Sequence, residues 1–202
     1  MIKYILLALL LGSVAGYLNS NWATVIDGKW VSSYAFNASL LLLLFIMGAQ
    51  LGMDREAVAK MRRTGLRILV VPFAVASGSI FGGLLAGFVL GKSVVGAMAV
   101  SAGYGWYTLS GPLVGQLLGG QWGAIGFVAN FLRELLTVVT LPLTRRAGKN
   151  VPVAFGGATT MDTTLPVIVR YCGSEALITA FSSGFVLSVL APFSIMALAT
   201  LG

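Results

Sequence analysis

Asn130, Arg133 and Glu134 stand near the middle of an otherwise apolar stretch. An ionised side chain at the centre of a membrane helix costs about 2.5 to 3.5 kcal/mol on insertion scales, so it normally faces the bundle interior and serves binding or transport. Asn130, Glu134 and Thr137 fall at i, i+4 and i+7 on one helix face, with Arg133 and Thr140 flanking it. A stripe of that kind can hold a cation and can take up and release a proton. Arg133 and Glu134 are adjacent and point about 100° apart, so each needs a partner on another helix. Asp162 is the candidate partner of Arg133 in a structural ion pair.

Two other hydrophobic stretches are interrupted by residues that do not favour a continuous helix. The run Gly156-Gly157-Ala158-Thr159-Thr160-Met161-Asp162-Thr163-Thr164-Leu165-Pro166 puts a diglycine, four threonines, an acid and a proline near mid-membrane. Backbone freed from helical bonding at that depth is tolerated only where protein or a wet cavity satisfies it. Broken helices of this kind form substrate and ion sites in secondary transporters, because half-helix ends and unwound carbonyls attract charged groups. Gly156, Gly157 and Pro166 are therefore the expected break. Asp162, Thr159, Thr160, Thr163 and Thr164 are its candidate ligands. The second interruption, Gly103-Tyr104-Gly105-Trp106-Tyr107-Thr108-Leu109-Ser110-Gly111-Pro112, is either another unwound stretch or an interfacial aromatic belt. Its candidate site residues are Trp106, Tyr107 and Ser110.

The elements that position these groups are membrane helices. Of 202 residues, 57% are hydrophobic and 9% charged, against about 25% charged in an ordinary soluble domain. The apolar residues fall into seven blocks: Ile2 to Leu18, Tyr34 to Leu51, Leu66 to Leu90, Val94 to Leu118, Gly123 to Leu143, Val153 to Tyr171 and Ala176 to Leu201. The expectation is an all-α, multi-pass protein of the cell membrane with about seven spans, the sixth broken. Lys3 ahead of an apolar run, with Ser13, Ala15 and Gly16 after it, is similar to a secretory signal. A polytopic protein needs no cleavable signal, and the segment is read as a span. Gly78 and Gly82, and Gly83, Gly87 and Gly91, recur at the four-residue spacing that lets helix backbones approach closely.

Arg55, Lys60, Arg62, Arg63 and Arg67 make the loop after the second block cytoplasmic by the positive-inside rule. Alternation of seven spans then leaves Arg145, Arg146 and Lys149 outside, against the same rule. Either that loop is an exception or the fourth block enters and leaves on one side. Seven crossings is the reading adopted here.

The net charge of +7 lies in inter-helical loops rather than on one aromatic-rich polar face, which argues against nucleic acid. Cys172 is alone and there is no His, so metal, cofactor and disulfide chemistry find no support. An enzyme is not expected: a nucleophile lacks its usual base, and an aspartyl protease would need a second intramembrane aspartate beside Asp162.

The glycine-aromatic run from Gly103 to Gly111, Arg133-Glu134-Leu135, and the run from Gly156 to Pro166, in this order, resemble the lysine exporter family known as LysO. The resemblance runs from about Tyr34 to the C-terminus. It implies export of L-lysine and its analogues across the cytoplasmic membrane, in exchange for protons, with Glu134 as the functional carboxylate. It also implies the inverted five-helix repeats of bile-acid and arsenite transporters, with a broken helix fourth in each. Residues 1–66 would close an incomplete first repeat and 67–202 would form a whole one. A small membrane partner of roughly three spans, or a second copy, would then complete the fold.

On this reading lysine sits between the fifth and sixth blocks with its ammonium at Glu134. Its carboxylate meets a half-helix N-terminus and the threonine hydroxyls, with Asn130, Trp106, Tyr107 and Ser110 nearby. Glu134 and Asp162 carry the coupling proton.

Overall fold

The computed structural model describes residues 2–21 and 69–201, with isolated positions between them. The second block and the basic loop after it lie outside the described residues. The chain falls into two compact units, 1–50 and 51–202. In the first, α1 (Ile2–Asn21) is an unbroken helix of 20 residues, as expected for the first block.

The second unit runs α2 (Val70–Val89), α3 (Val94–Ser101), α4 (Tyr107–Leu118), α5 (Gly120–Ala147), α6 (Val151–Gly156), a 3₁₀ turn (Gly157–Met161), α7 (Leu165–Cys172) and α8 (Ala176–Ala199). Among the described residues three helices are long and apolar enough to cross a bilayer: α2, α5 and α8, of 20, 28 and 24 residues. The chain is an all-helical membrane protein.

The fourth block doubles back. Gly96, in α3, packs against Trp122 in the first turn of α5, and Gly115, near the end of α4, packs against Gly123 in the same turn. Between them Gly103 lies against Asn130, further along α5. The block therefore runs in alongside α5, reverses at residues 102–106, and returns to its starting level. Ser93 starts it, its side chain accepting from the Gly96 amide at 3.2 Å. Gly119, at φ +98°, makes the tight turn from α4 into α5, a backbone conformation that costs other residues about 1–2 kcal/mol.

The sixth block also reverses. Val153 of α6 shares a core cluster with Leu141 of α5 and with Ile168 and Cys172 of α7. At the feet of the hairpin Lys149 pairs with Glu175 at 2.6 Å. Pro152 and Pro166 stand in the first turns of α6 and α7, where a missing N–H is harmless.

Of the seven expected spans, three are found among the described residues, and blocks four and six each double back as a helical hairpin. By the positive-inside rule Arg145 and Arg146 in the last turn of α5, with Lys149, are expected on the cytoplasmic side, so that α5 would run inward; the hairpin of block four is labelled outer and that of block six inner on that expectation. The implied repeat has a single break, in fourth place; this unit has breaks in second and fourth place.

Candidate functional site

The two hairpins meet tip to tip. The amide of Ala158 donates to the carbonyl of Tyr104 at 2.8 Å. A Cβ on Gly157 would collide with that same carbonyl, and Gly157 has φ +63°, so only glycine suits the contact. Tyr104 is itself at φ +51° and fully buried, its hydroxyl 3.0 Å from that of Ser194 on α8.

Asn130 fastens the outer tip to α5. Its Oδ1 accepts from the Gly105 amide at 2.7 Å, and its Nδ2 donates to the Val100 and Gly126 carbonyls, both at 2.9 Å. The side chain is buried and its amide is saturated, so it shapes the site instead of facing a ligand. Ser110, also buried, donates to the Gly126 carbonyl at 3.2 Å and joins α4 to α5.

Arg133 does for the inner hairpin what Asn130 does for the outer one. Its Nε donates to the Phe155 carbonyl at 2.8 Å, one terminal nitrogen to the Ala154 carbonyl at 3.0 Å and the other to the Ser79 hydroxyl at 2.9 Å. The expected ion pair with Asp162 is not formed. The guanidinium instead meets the last carbonyls of α6, where the helix dipole puts about half a negative charge. A planar fork suits paired carbonyls as well as it suits a carboxylate.

The threonines divide. Thr159 donates to the Gly156 carbonyl at 3.0 Å and lies 3.3 Å from the Thr164 hydroxyl, while Thr160 lies 2.8 Å from the Gly157 carbonyl and 2.7 Å from the Ala180 carbonyl of α8. All three are buried; Thr159 and Thr160 each satisfy a carbonyl at the break, Thr160 also reaches α8, and Thr164 pairs with Thr159. Asp162 and Thr163 are exposed, with the Thr163 amide donating to the Asp162 carboxylate at 2.5 Å.

Glu134 differs from all of these. It is half-buried, and its Oε2 is buried without a hydrogen-bond partner among the described residues. Trp106, half-buried, precedes Tyr107 at the start of α4. Among the sequence candidates, Asn130, Ser110, Thr159, Thr160 and Thr164 are taken up by bonds within the protein, while Glu134 has a buried carboxylate oxygen without a partner among the described residues.

Ser79, Phe127 and Phe131 were not among the sequence candidates. Tyr107 packs edge-on against Phe127 and Phe131, with ring centroids 5.4 and 5.5 Å apart. The two phenylalanines stand at i and i+4, with Glu134 at i+7, a spacing that was readable in the sequence. Nothing local marked Ser79.

A separate cavity of about 830 Å³ lies between α2, α5 and α6. Its walls are apolar apart from Ser79, Arg133 and Asn150. Among the described residues its only charge is positive, which does not suit a cation. At the inner hairpin's exposed feet, Lys149 holds the Glu175 carboxyl below the usual carboxylate range, first through their hydrogen bond and then through its charge.

The family model of the lysine exporter LysO matches residues 6–199. The chain is 34% identical over 188 residues to the lysine exporter LysO of Escherichia coli (strain K12), covering 90% of this chain and 62% of that protein. It is 30% identical over 191 residues to a protein of Haemophilus influenzae (strain ATCC 51907 / DSM 11121 / KW20 / Rd) described as a "Putative lysine exporter", covering 93% of each. No solved structure matches the chain. A family match over nearly its whole length, on residues that build both hairpins and the α5 stripe, places the chain in the lysine exporter LysO family.

Proposed function

We propose that this chain exports L-lysine from the cytoplasm across the cell membrane, in exchange for protons, at the meeting point of the two hairpins. The observation that carries the reading is Glu134: a carboxylate oxygen buried without a partner beside the tips. A buried acceptor left unsatisfied costs about 1–3 kcal/mol or more when charged, so a purely structural carboxylate would have a partner. An ammonium group supplies one. Asp162, exposed just after the inner turn, and Tyr107, at the start of α4, are the further groups assigned to the cation site.

In the cycle, deprotonated Glu134 binds the lysine ammonium from the cytoplasmic side. Protonation from outside cancels the charge and releases it. Asp162 shares the proton. The exposed carboxylate does not face lipid, given the cost of charge there. A further membrane segment, from a small partner protein or a second copy, covers it.

The alternative, a passive subunit or channel in which the polar groups only join helices, suits Asn130 and Arg133, whose bonds are satisfied. It gives no account of Glu134. The deciding experiment is lysine uptake into inverted membrane vesicles with and without an imposed proton gradient. Uptake above equilibrium only with the gradient is expected. Gradient-independent equilibration would make the protein a channel, and no flux would make it a subunit.

A further inference from the structure

We propose that Tyr107, Phe127 and Phe131 form an aromatic track that selects the aliphatic stem of the substrate and carries its ammonium group between Glu134 and the outer side. This rests on the transport reading above and adds the specificity determinants to it.

Phe127, Phe131 and Glu134 share one face of α5 at i, i+4 and i+7. The rings of Phe127 and Phe131 are nearly parallel, 11° apart with centroids at 6.2 Å. Tyr107 stands across both at 82° and 86°. On the inward course expected of α5, Phe127 lies on the outer side of Glu134, roughly 10 Å away at about 1.5 Å of rise per residue. That length accommodates a four-carbon stem with its charged end at the carboxylate.

Phe127 and Phe131 are 43% and 44% exposed. On an ordinary membrane helix this would mean contact with lipid. Here the same face ends in Glu134, whose Oε2 is buried without a partner among the described residues. A face that ends in a carboxylate belongs to a path rather than to the bilayer. Aromatic rings serve both parts of a lysine side chain: the methylenes gain apolar contact, and the ammonium is attracted electrostatically to the ring faces.

The test uses the full chain in vesicles. Phe131→Leu keeps the side chain apolar but removes the ring, and is expected to raise the lysine KM by about two- to tenfold while leaving the maximal rate within a factor of about two, since it removes binding and not chemistry. Phe131→Tyr should restore the KM. Discrimination between lysine and its one-carbon-shorter homologue ornithine should narrow in Phe131→Leu and return in Phe131→Tyr. A merely structural ring would change protein yield and maximal rate without moving that ratio. A second measurement needs no variant: n-alkylammonium ions should inhibit wild-type lysine export more strongly as the chain lengthens from ethyl to pentyl. Equal inhibition along that series, or an export-competent Phe131→Leu with unchanged KM and ratio, overturns the track while leaving transport standing. Absence of lysine flux in the wild type overturns the transport reading and the track with it.

Discussion

The amide of Ala158 and the carbonyl of Tyr104 are 2.8 Å apart, and through that bond the hairpin of block four meets that of block six. Both groups belong to residues outside regular α-helix. Each would otherwise be a bare backbone group in a low-dielectric interior. The contact therefore satisfies the two breaks mutually.

Gly157→Ala should disrupt that contact, because its new methyl meets the Tyr104 carbonyl at a positive φ. The loss is expected to be on the order of 2–4 kcal/mol, seen as a lower melting midpoint in detergent and as lost export. Gly82→Ala is the control, since nothing lies within 4 Å of the added carbon; removing a glycine from a helix interior should raise stability by roughly 0.5–1 kcal/mol. Equal behaviour of the two variants would show that the tips do not pack this way.

Glu134→Gln should insert normally and abolish net export, because it keeps the shape and loses the titrating charge. Asp162→Asn should weaken lysine binding, measured by calorimetry on purified protein. Thr160→Val should instead lower stability with little change in affinity, since its hydroxyl joins the inner tip to α8. Wild-type export by Glu134→Gln would remove the proton switch.

Arg133→Lys is expected to behave as a severe substitution. An ammonium cannot reproduce three bonds fanned across Ala154, Phe155 and Ser79. Each bond to a charged group contributes about 1.5–3 kcal/mol, so losing one or two should lower the melting midpoint and cut export at least about tenfold. Near-wild-type values for both would mean that the fork geometry is not needed.

The pair at the inner hairpin's feet should act weakly and only above acidic pH. The Glu175 carboxyl is depressed in the folded state, so its stabilisation is present above the unfolded pKa and lost as pH falls through the folded one. The melting midpoints of wild type and Glu175→Gln should differ slightly at neutral pH and converge in acid. Both side chains are largely exposed, 68% and 78%, which keeps the effect small.

Cysteine labelling checks the reversals. On a Cys172→Ala background, Lys92→Cys and Gly119→Cys should both react from the outside, and Lys149→Cys and Ser174→Cys both from the cytoplasm. Opposite-side labelling within either pair would restore a crossing segment.

The breaks themselves were legible: glycine clusters followed by proline mark both, and Gly103 and Pro112 have the same spacing as Gly157 and Pro166. What composition could not give was direction. A broken crossing and a re-entrant hairpin have the same residues, and only the misplaced charges of Arg145, Arg146 and Lys149 pointed to the second. The polar stripe on α5 was also legible, but not which members were already satisfied. Asn130 and Arg133 are occupied by carbonyls that only the folded tips bring within reach, and three threonines are consumed the same way. Glu134 stands out by lacking what the others have, which a sequence does not show.

On the exchange proposed above, the hairpins would determine how voltage acts on this protein. Their inward halves, α3 and α6, have 8 and 6 residues, well short of the about 20 that span a bilayer. Where water follows each hairpin down to its tip, the electric field of the whole membrane is concentrated across the contact between Tyr104 and Ala158. A charge passing that contact does the full electrical work of crossing, about 2.3 kcal/mol per 100 mV. In the exchange proposed, one lysine cation leaving against an interior-negative potential is balanced by one entering proton, and the potential then neither helps nor hinders. With two protons per lysine each cycle carries net charge inward, and the membrane potential itself becomes a source of export.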